Sequence, residues 1–390
     1  MPSHERSPEE LRDWGGSGAA WLTGRPDGPP LGPPGRAATF VREALATLGL
    51  EIPGLLGERA AYAALGRNAP WSCGGAFRIL PTRDGWLGVS LARPSDLELV
   101  PALVESRTIA EPWEAVGAWA EVATGAEAAA RLRLLGIPGG VVPDVPPSDR
   151  SGVKVIATGS RQVTEDPLVV DLTSMWAGPL CAHLLGLGGA RIVKVEATAR
   201  PDGARSGAPA FFELLHRGHA HVDLDFHADI APLRELIASA DLVLEASRPR
   251  ALRQLGILAE EAVGEGTSWL SITAHGRHSD AVGFGDDVAA SAGLVVRPDS
   301  GEPIPAGDAL ADPLTGVAAA LAARDALSSE EARLIDVSML HVVAETLEDA
   351  DLCAPPAVAV RGADGRWWFD TGDEGVRLMP VEPPAPRGRS

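Results

Sequence analysis

Between residues 168 and 274, short apolar runs alternate with segments of helical pattern, and nothing else in the chain constrains its fold as strongly. LVVDLT (168–173), ARIVKVE (190–196), HVDLDF (221–226), DLVLEA (241–246) and SWLSITA (268–274) each read as a strand. Helical stretches at 179–188, 229–240 and 249–255 fall between them. Short strands separated by helices are joined by crossovers, which makes neighbouring strands parallel and covers both sheet faces with helices. The expected fold class is therefore α/β, with a Rossmann-like parallel sheet as the larger domain.

The first 145 residues have a different texture. A PDGPPLGPPG run occupies 26–35, followed by a helix-like stretch from Thr39 to Leu48. AFRILPT and WLGVSLA flank the turn Arg83-Asp84-Gly85, a hairpin pattern over 76–93. Residues 95–136 are helical in pattern and end at Gly136-Ile137-Pro138, a C-cap followed by a helix breaker. A smaller α+β domain over 67–145 is expected, with a Gly/Pro-rich segment (1–66) packed on the large domain. A linker at 146–166, the large domain at 167–345 and a Pro-rich extension at 346–390 complete the expected organisation.

Charge narrows the partners. The 390 residues carry 53 acidic and 34 basic side chains, a formal charge of −19, and only Lys154 and Lys194 are lysines. Such a surface repels phosphate backbones, so nucleic acid is not expected, and an anionic ligand needs a local arginine patch. Cys73, Cys181 and Cys353 are too scattered for a disulfide framework, and the nine histidines show no metal-ligand spacing. No metal and no bound cofactor are expected. The uncharged stretch Leu172–Ala190 contains Pro179 and four glycines and reads as strand, turn and helix, not as a membrane span. MPSHERSPEELRDW lacks the apolar core of a signal peptide, so a cytoplasmic setting is the expectation.

Few motifs carry chemistry. GLGGAR (186–191) follows a helix and has Arg191 where a dinucleotide fingerprint needs its third glycine, so it reads as a helix end. HRGHAH (216–221) reads as a polar loop. Arg200, Arg205, Arg217, Arg248, Arg250 and Arg253 all follow strands of the expected sheet; they suit either an anion site or surface ion pairs. In GDALADPLTGVAAALAARDAL (307–327), Asp312 precedes Pro313 and a long apolar helix. The pattern is that of an N-cap carboxylate with Pro at N1, and equally that of a nucleophile held as an anion by the helix terminus. A short internal repeat sets Asp13–Gly18 against Asp287–Ala292, and its offset places Ala38 opposite Asp312.

At these residues the chain resembles family III CoA-transferases, which include the formyl-CoA and carnitine CoA-transferases and the α-methylacyl-CoA racemases. The resemblance runs through PLVVDLTSMWAGPLCAHLLGLGGARIVKVE, FFELLHRGHAHVDLDF, ADLVLEASRPRALRQLGI, ITAHGRHSDAVGFGDDVAASAGL and ADPLTG, in the family's own order. NAPWSCGGAFRILPTRDGW and LRLLGIPGGVVPDV resemble the family's small domain, here placed first, so the chain resembles a permuted or degenerate tandem member. The resemblance implies that Asp312 is the catalytic aspartate and that Met175 and Trp176 meet CoA. It further implies that Arg205 meets the CoA phosphates, that Ala246 and Ser247 line the adenine side with Gln254 replacing a frequent arginine, and that Gly74 and Gly75 form a mobile loop. Asp286 stands where the racemases have a histidine. The implied reaction moves CoA from an acyl-CoA to a carboxylic acid through an aspartyl anhydride and an aspartyl-CoA thioester, with CoA as substrate and a homodimer as the assembly. An isomerase acting at the α-carbon of an acyl-CoA, or a non-catalytic acyl-CoA-binding subunit, are the rival readings.

Overall fold

The computed structural model describes residues 7–107, 109–247, 249–298, 301–370 and 378–387. Its centre is a seven-stranded sheet. The strands are β1 (Val153–Ser160), β2 (Leu168–Leu172), β3 (Arg191–Ala197), β4 (Ala220–Leu224), β5 (Leu242–Glu245), β6 (Ser268–Thr273) and β7 (Glu331–Ser338). Their order across the sheet is β1-β7-β6-β5-β2-β3-β4. Every pairing is parallel except that of β1 with β7. The five runs read as strands in the sequence are thus β2 to β6, and the α/β expectation holds. β1 and β7 are the departures: β7 was not read as a strand, and residues 153–160, read as linker, form an antiparallel edge strand with Val155 and Ile156 about half exposed.

The reason for the central strands' burial lies in their composition. Val169 and Val170 of β2, and Leu242, Val243 and Leu244 of β5, are fully excluded from solvent, so both sheet faces are covered. One cover is helix α2 (Ala177–Leu187), apolar almost all round, with Gly178 to Leu185 buried. Against it lies α4 (Ala311–Leu327), whose Ala318, Ala319, Ala320 and Ala323 are buried. The two approach closely because Gly316 faces α2: a Cβ there would sit 2.8 Å from the Ala177 carbonyl oxygen and 2.9 Å from Leu180.

Residues 7–66 complete the same core. Helix α1 (Ala37–Leu48) packs on α4, and Leu11, Trp14, Val41, Leu45 and Leu56 join the apolar cluster that holds α2 and α4. Ala38 is the second residue of α1, as Asp312 is the second residue of α4, so the offset of the sequence repeat is also a geometric one. The hairpin forms as expected, Phe77–Thr82 against Gly85–Ser90, in a separate three-stranded sheet completed by Gly139–Val141. Three helices, Pro94–Leu103, Pro112–Val122 and Gly125–Leu135, pack on it around their own apolar cluster. Gly136 ends the last of them in the left-handed conformation. Among the described residues no helix is long and apolar enough to cross a membrane, and all three cysteines are unbridged.

Candidate active site

The sheet order reverses at β2: β3 and β4 lie to one side, β5, β6 and β7 to the other. Outside the carboxyl ends of β2 and β5 this leaves a crevice, the usual place for a ligand in an open parallel sheet. Four residues assigned by resemblance meet at its mouth. Met175 and Trp176 follow β2, and Ala246 and Ser247 follow β5, its hydrogen-bonded neighbour. Met175 has φ of 73°, a conformation that costs an ordinary side chain energy unless its surroundings hold it. Here they do. Its N–H donates to Asp202 Oδ1 (2.9 Å), and Asp202 is in turn bound by the buried Lys194 (3.0 Å). Trp176 is 3% exposed and packs edge-on against Phe211. Ser247 donates its hydroxyl to Glu245 Oε1 (2.8 Å).

Arg205 lies on the turn after β3 and lines an open cleft of about 450 Å³ with Pro209, Phe212, Glu213, His216 and His221. It is already engaged. Its Nε lies 3.0 and 3.2 Å from the two Glu196 oxygens, its Nη2 reaches the same carboxylate, and the guanidinium stacks 4.3 Å from the Phe212 ring. This partner holds the Glu196 carboxyl down at about 2. Two of the other arginines, Arg250 and Arg253, make surface ion pairs with Asp280 and Glu260; Arg248 lies outside the described residues. The HRGHAH segment is not simply a polar loop. His216 is buried against Phe212 and His219, and burial pushes its imidazole down to about 3, which keeps it neutral.

Next to the crevice sits a cluster of three carboxyl groups, Asp286, Asp308 and Asp312, with Arg59. Asp312 is the second residue of α4 and Pro313 the third; the cap position belongs to Leu310, which has no capping side chain. The N-cap expectation for Asp312 is corrected: the helix begins two residues earlier, with Leu310 at the cap. The Asp312 carboxyl faces the Ala177 N–H at the start of α2 and remains partly exposed. The expectation that the helix terminus keeps it ionised is also corrected. Burial, with Asp286 and Asp308 as like charges, outweighs the pull of Arg59 and raises the group from 3.8 to about 7.

Asp286 opens α3 (Gly285–Ala292) beside Gly285, and its Oδ1 accepts from the Ala309 N–H (2.9 Å). Ser72 also lies beside it; burial and Asp308 raise the carboxyl to about 6. Gly285 is required here because Asp312 comes so close: a Cβ at 285 would lie 2.4 Å from Asp312 Oδ2. Asp308 is fully buried and is held by Arg59, whose Nε donates to Oδ2 (2.9 Å) and Nη2 to Oδ1. The same guanidinium lies 5.5 Å over the Trp176 ring. Arg59 therefore joins the carboxyl cluster to the crevice.

The loop carrying Gly74 and Gly75 meets the cluster through its base. Ser72 reaches Asp286, and the Cys73 thiol donates to the Gly307 carbonyl (3.3 Å), one residue before Asp308. Gly74 and Gly75 themselves are exposed, and the Gly75 N–H is donated to the Ser72 carbonyl (2.9 Å). That N–H is thus already taken in this structure. Burial pushes the Cys73 thiol well above its ordinary range, so it holds its proton and is no thiolate nucleophile. The sequence assigned Asp312, Asp286 and the glycine loop to one site, and the structure places Asp312, Asp286 and the base of that loop side by side. Arg59, Asp308, Ser72 and Gly285 were not singled out. A signal existed for Asp308 and Gly285, which lie in the same acidic segments as Asp312 and Asp286, and none for Arg59.

Comparison with known proteins places this geometry. The chain belongs to CoA-transferase family III, whose model matches residues 165–363. It is 26% identical over 204 residues to the succinyl-CoA–D-citramalate CoA-transferase of Chloroflexus aurantiacus, covering 47% of this chain and 51% of that protein. It is 28% identical over 211 residues to the succinate–glutarate CoA-transferase of Agrobacterium fabrum (47% and 52%). With the acetyl-CoA:oxalate CoA-transferase of Acetobacter aceti the identity is 28% over 213 residues (48% and 53%). The chain thus spans about half the length of the curated relatives it matches. Among solved structures it is similar to a CaiB/BaiF family protein of Brucella suis, at 23% identity and a TM-score of 0.47, covering 54% of this chain and 66% of that one.

Proposed function

We propose that the protein moves CoA from an acyl-CoA donor to a carboxylic acid, with Asp312 as nucleophile. The observation that carries this reading is the placement of the partly exposed Asp312 carboxyl beside the switch-point crevice, facing the N–H of Ala177 directly after Trp176. In the proposed cycle the Asp312 carboxylate attacks the thioester carbonyl, the C–S bond breaks, and CoA leaves as thiolate from a mixed anhydride. The thiolate then attacks the Asp312 carbonyl, expelling the donor acid and leaving an aspartyl-CoA thioester. An acceptor carboxylate attacks that carbonyl, releases the thiolate, and the thiolate takes the acceptor's acyl group and frees Asp312. Covalent catalysis of this kind conserves the thioester's energy across the exchange. Met175, Trp176, Ala246 and Ser247 border the nucleotide in this reading, and Arg205 meets phosphate at the edge of its cleft.

Membership of the family and the names of the relatives support the reaction class. The rival with an observation behind it is α-carbon isomerisation, because Asp286 stands beside Asp312 and both carboxyls are raised toward neutrality, as a proton-transfer pair needs. Labelled acyl-CoA incubated with free acids in D₂O distinguishes the two. Transfer predicts label in a new acyl-CoA; isomerisation predicts deuterium at the α-carbon without exchange of CoA; a non-catalytic subunit shows neither.

A further inference from the structure

Two turns border CoA in the reading above, and they follow different strands. Met175 and Trp176 come after β2, and the turn Gly203–Ser206, with Arg205, comes after β3. One buried carboxylate ties them together. The Asp202 Oδ1 accepts from the Met175 N–H and from the Ala204 N–H, each at 2.9 Å. The first bond holds Met175 at its φ of 73°, a conformation that side chains other than glycine rarely take. The second caps the turn that carries Arg205.

Asp202 is in turn fixed from β3. Lys194 and Glu196 stand two residues apart on that strand, so their side chains leave the same sheet face. The fully buried Lys194 ammonium lies 3.0 Å from Asp202 Oδ2 and 3.8 Å from Asp171 Oδ2. It also donates to the Thr173 carbonyl, two residues before Met175. Glu196 accepts the Asp202 N–H (2.8 Å) and holds the Arg205 guanidinium. A buried ion pair is weakly stabilising at best beside apolar side chains of the same size. We infer that Lys194 and Asp202 are positioning residues: their ion pair sets the Met175 and Arg205 turns in one geometry before CoA arrives. The inference rests on the reading that both turns border CoA. Turns ordered in advance spare the ligand the cost of ordering them.

The test is calorimetric titration of the full chain with CoA. Asp202→Ala removes both bonds and should raise Kd at least about tenfold, as loss of hydrogen bonds to a charged group would. Misfolded protein lowers the stoichiometry of such a titration and leaves Kd alone, so a purely structural role gives an unchanged Kd. Asp202→Asn keeps the side chain's size and loses the pairing with Lys194; it should fold where alanine does not and raise Kd at least about threefold. Arg205→Ala completes a double-mutant cycle. Its effect should be about tenfold or more in the wild type and under about threefold beside Asp202→Ala, because an arginine on an unset turn has little left to lose. An unchanged Kd in the Asp202 variants, or Asp202 and Arg205 effects that multiply in full, overturns the inference and leaves the site reading standing. A wild-type chain that does not bind CoA, or one that binds it as tightly without Arg205, overturns the site reading itself.

Discussion

Replacing Asp312 by asparagine should make the protein more stable and inactive at once. The carboxyl is raised from 3.8 to about 7 in the folded protein. Because the folded state holds this proton more tightly than the unfolded chain, stability falls as pH rises from about 4 to about 7 and is level above. At 1.36 kcal/mol for each pH unit, the ceiling on that loss is about 4 kcal/mol. The group is partly exposed, so solvent screening recovers some of it, and a penalty of roughly 1–3 kcal/mol remains at pH 8. Asparagine is close to isosteric and carries no charge to desolvate. Urea unfolding at pH 8 should therefore show the variant more stable by about this amount, with the gap shrinking as pH falls toward 4. CoA exchange should be lost while CoA still binds. A variant less stable by about 0.5–2 kcal/mol at every pH, as loss of a helix cap would give, would refute this reasoning.

Three further outcomes follow from the same geometry. With Asp312 as the proposed nucleophile, the transfer rate should rise as pH increases through about 7, because a carboxyl attacks as its anion; Arg59→Met should move that rise to higher pH, since Arg59 pulls the group down. Gly285→Ala should cost both activity and stability, because its Cβ would lie 2.3 Å from the Ala309 carbonyl oxygen and 2.4 Å from Asp312 Oδ2; a fully active variant would show that α3 can retreat. Arg205→Ala should weaken CoA binding by about 1–3 kcal/mol, measured by calorimetry, and release Glu196 toward its ordinary carboxyl range; unchanged affinity removes Arg205 from the site.

Much of the large sheet was legible because its strands and helices follow one another locally, and each strand's burial is written in its own residues. β1 was not, because VKVIATGS is half exposed and its partner, β7, lies far along the chain. Asp312 could be found from its place before an apolar helix, but not its protonation. A helix terminus favours the anion on sequence grounds; only the folded chain brings Asp286 and Asp308 beside it. Arg59 is the clearest case of what a sequence conceals. It sits in a stretch with no motif, and its meaning comes entirely from the packing of residues 7–66 against α4 and α2, which carries it to Asp308 and over Trp176. Neither the raised carboxyls nor the bound Arg59 could be read without the contacts.

As the proposed nucleophile, Asp312 should become covalently acylated. Incubation of the protein with acyl-CoA, followed by hydroxylamine and peptide mass analysis, tests it directly. A hydroxamate is expected on the peptide containing Asp312, dependent on acyl-CoA and missing from Asp312→Asn. Unmodified Asp312 in a protein that exchanges CoA, or exchange at near wild-type rate by a folded, CoA-binding Asp312→Asn variant, would contradict it.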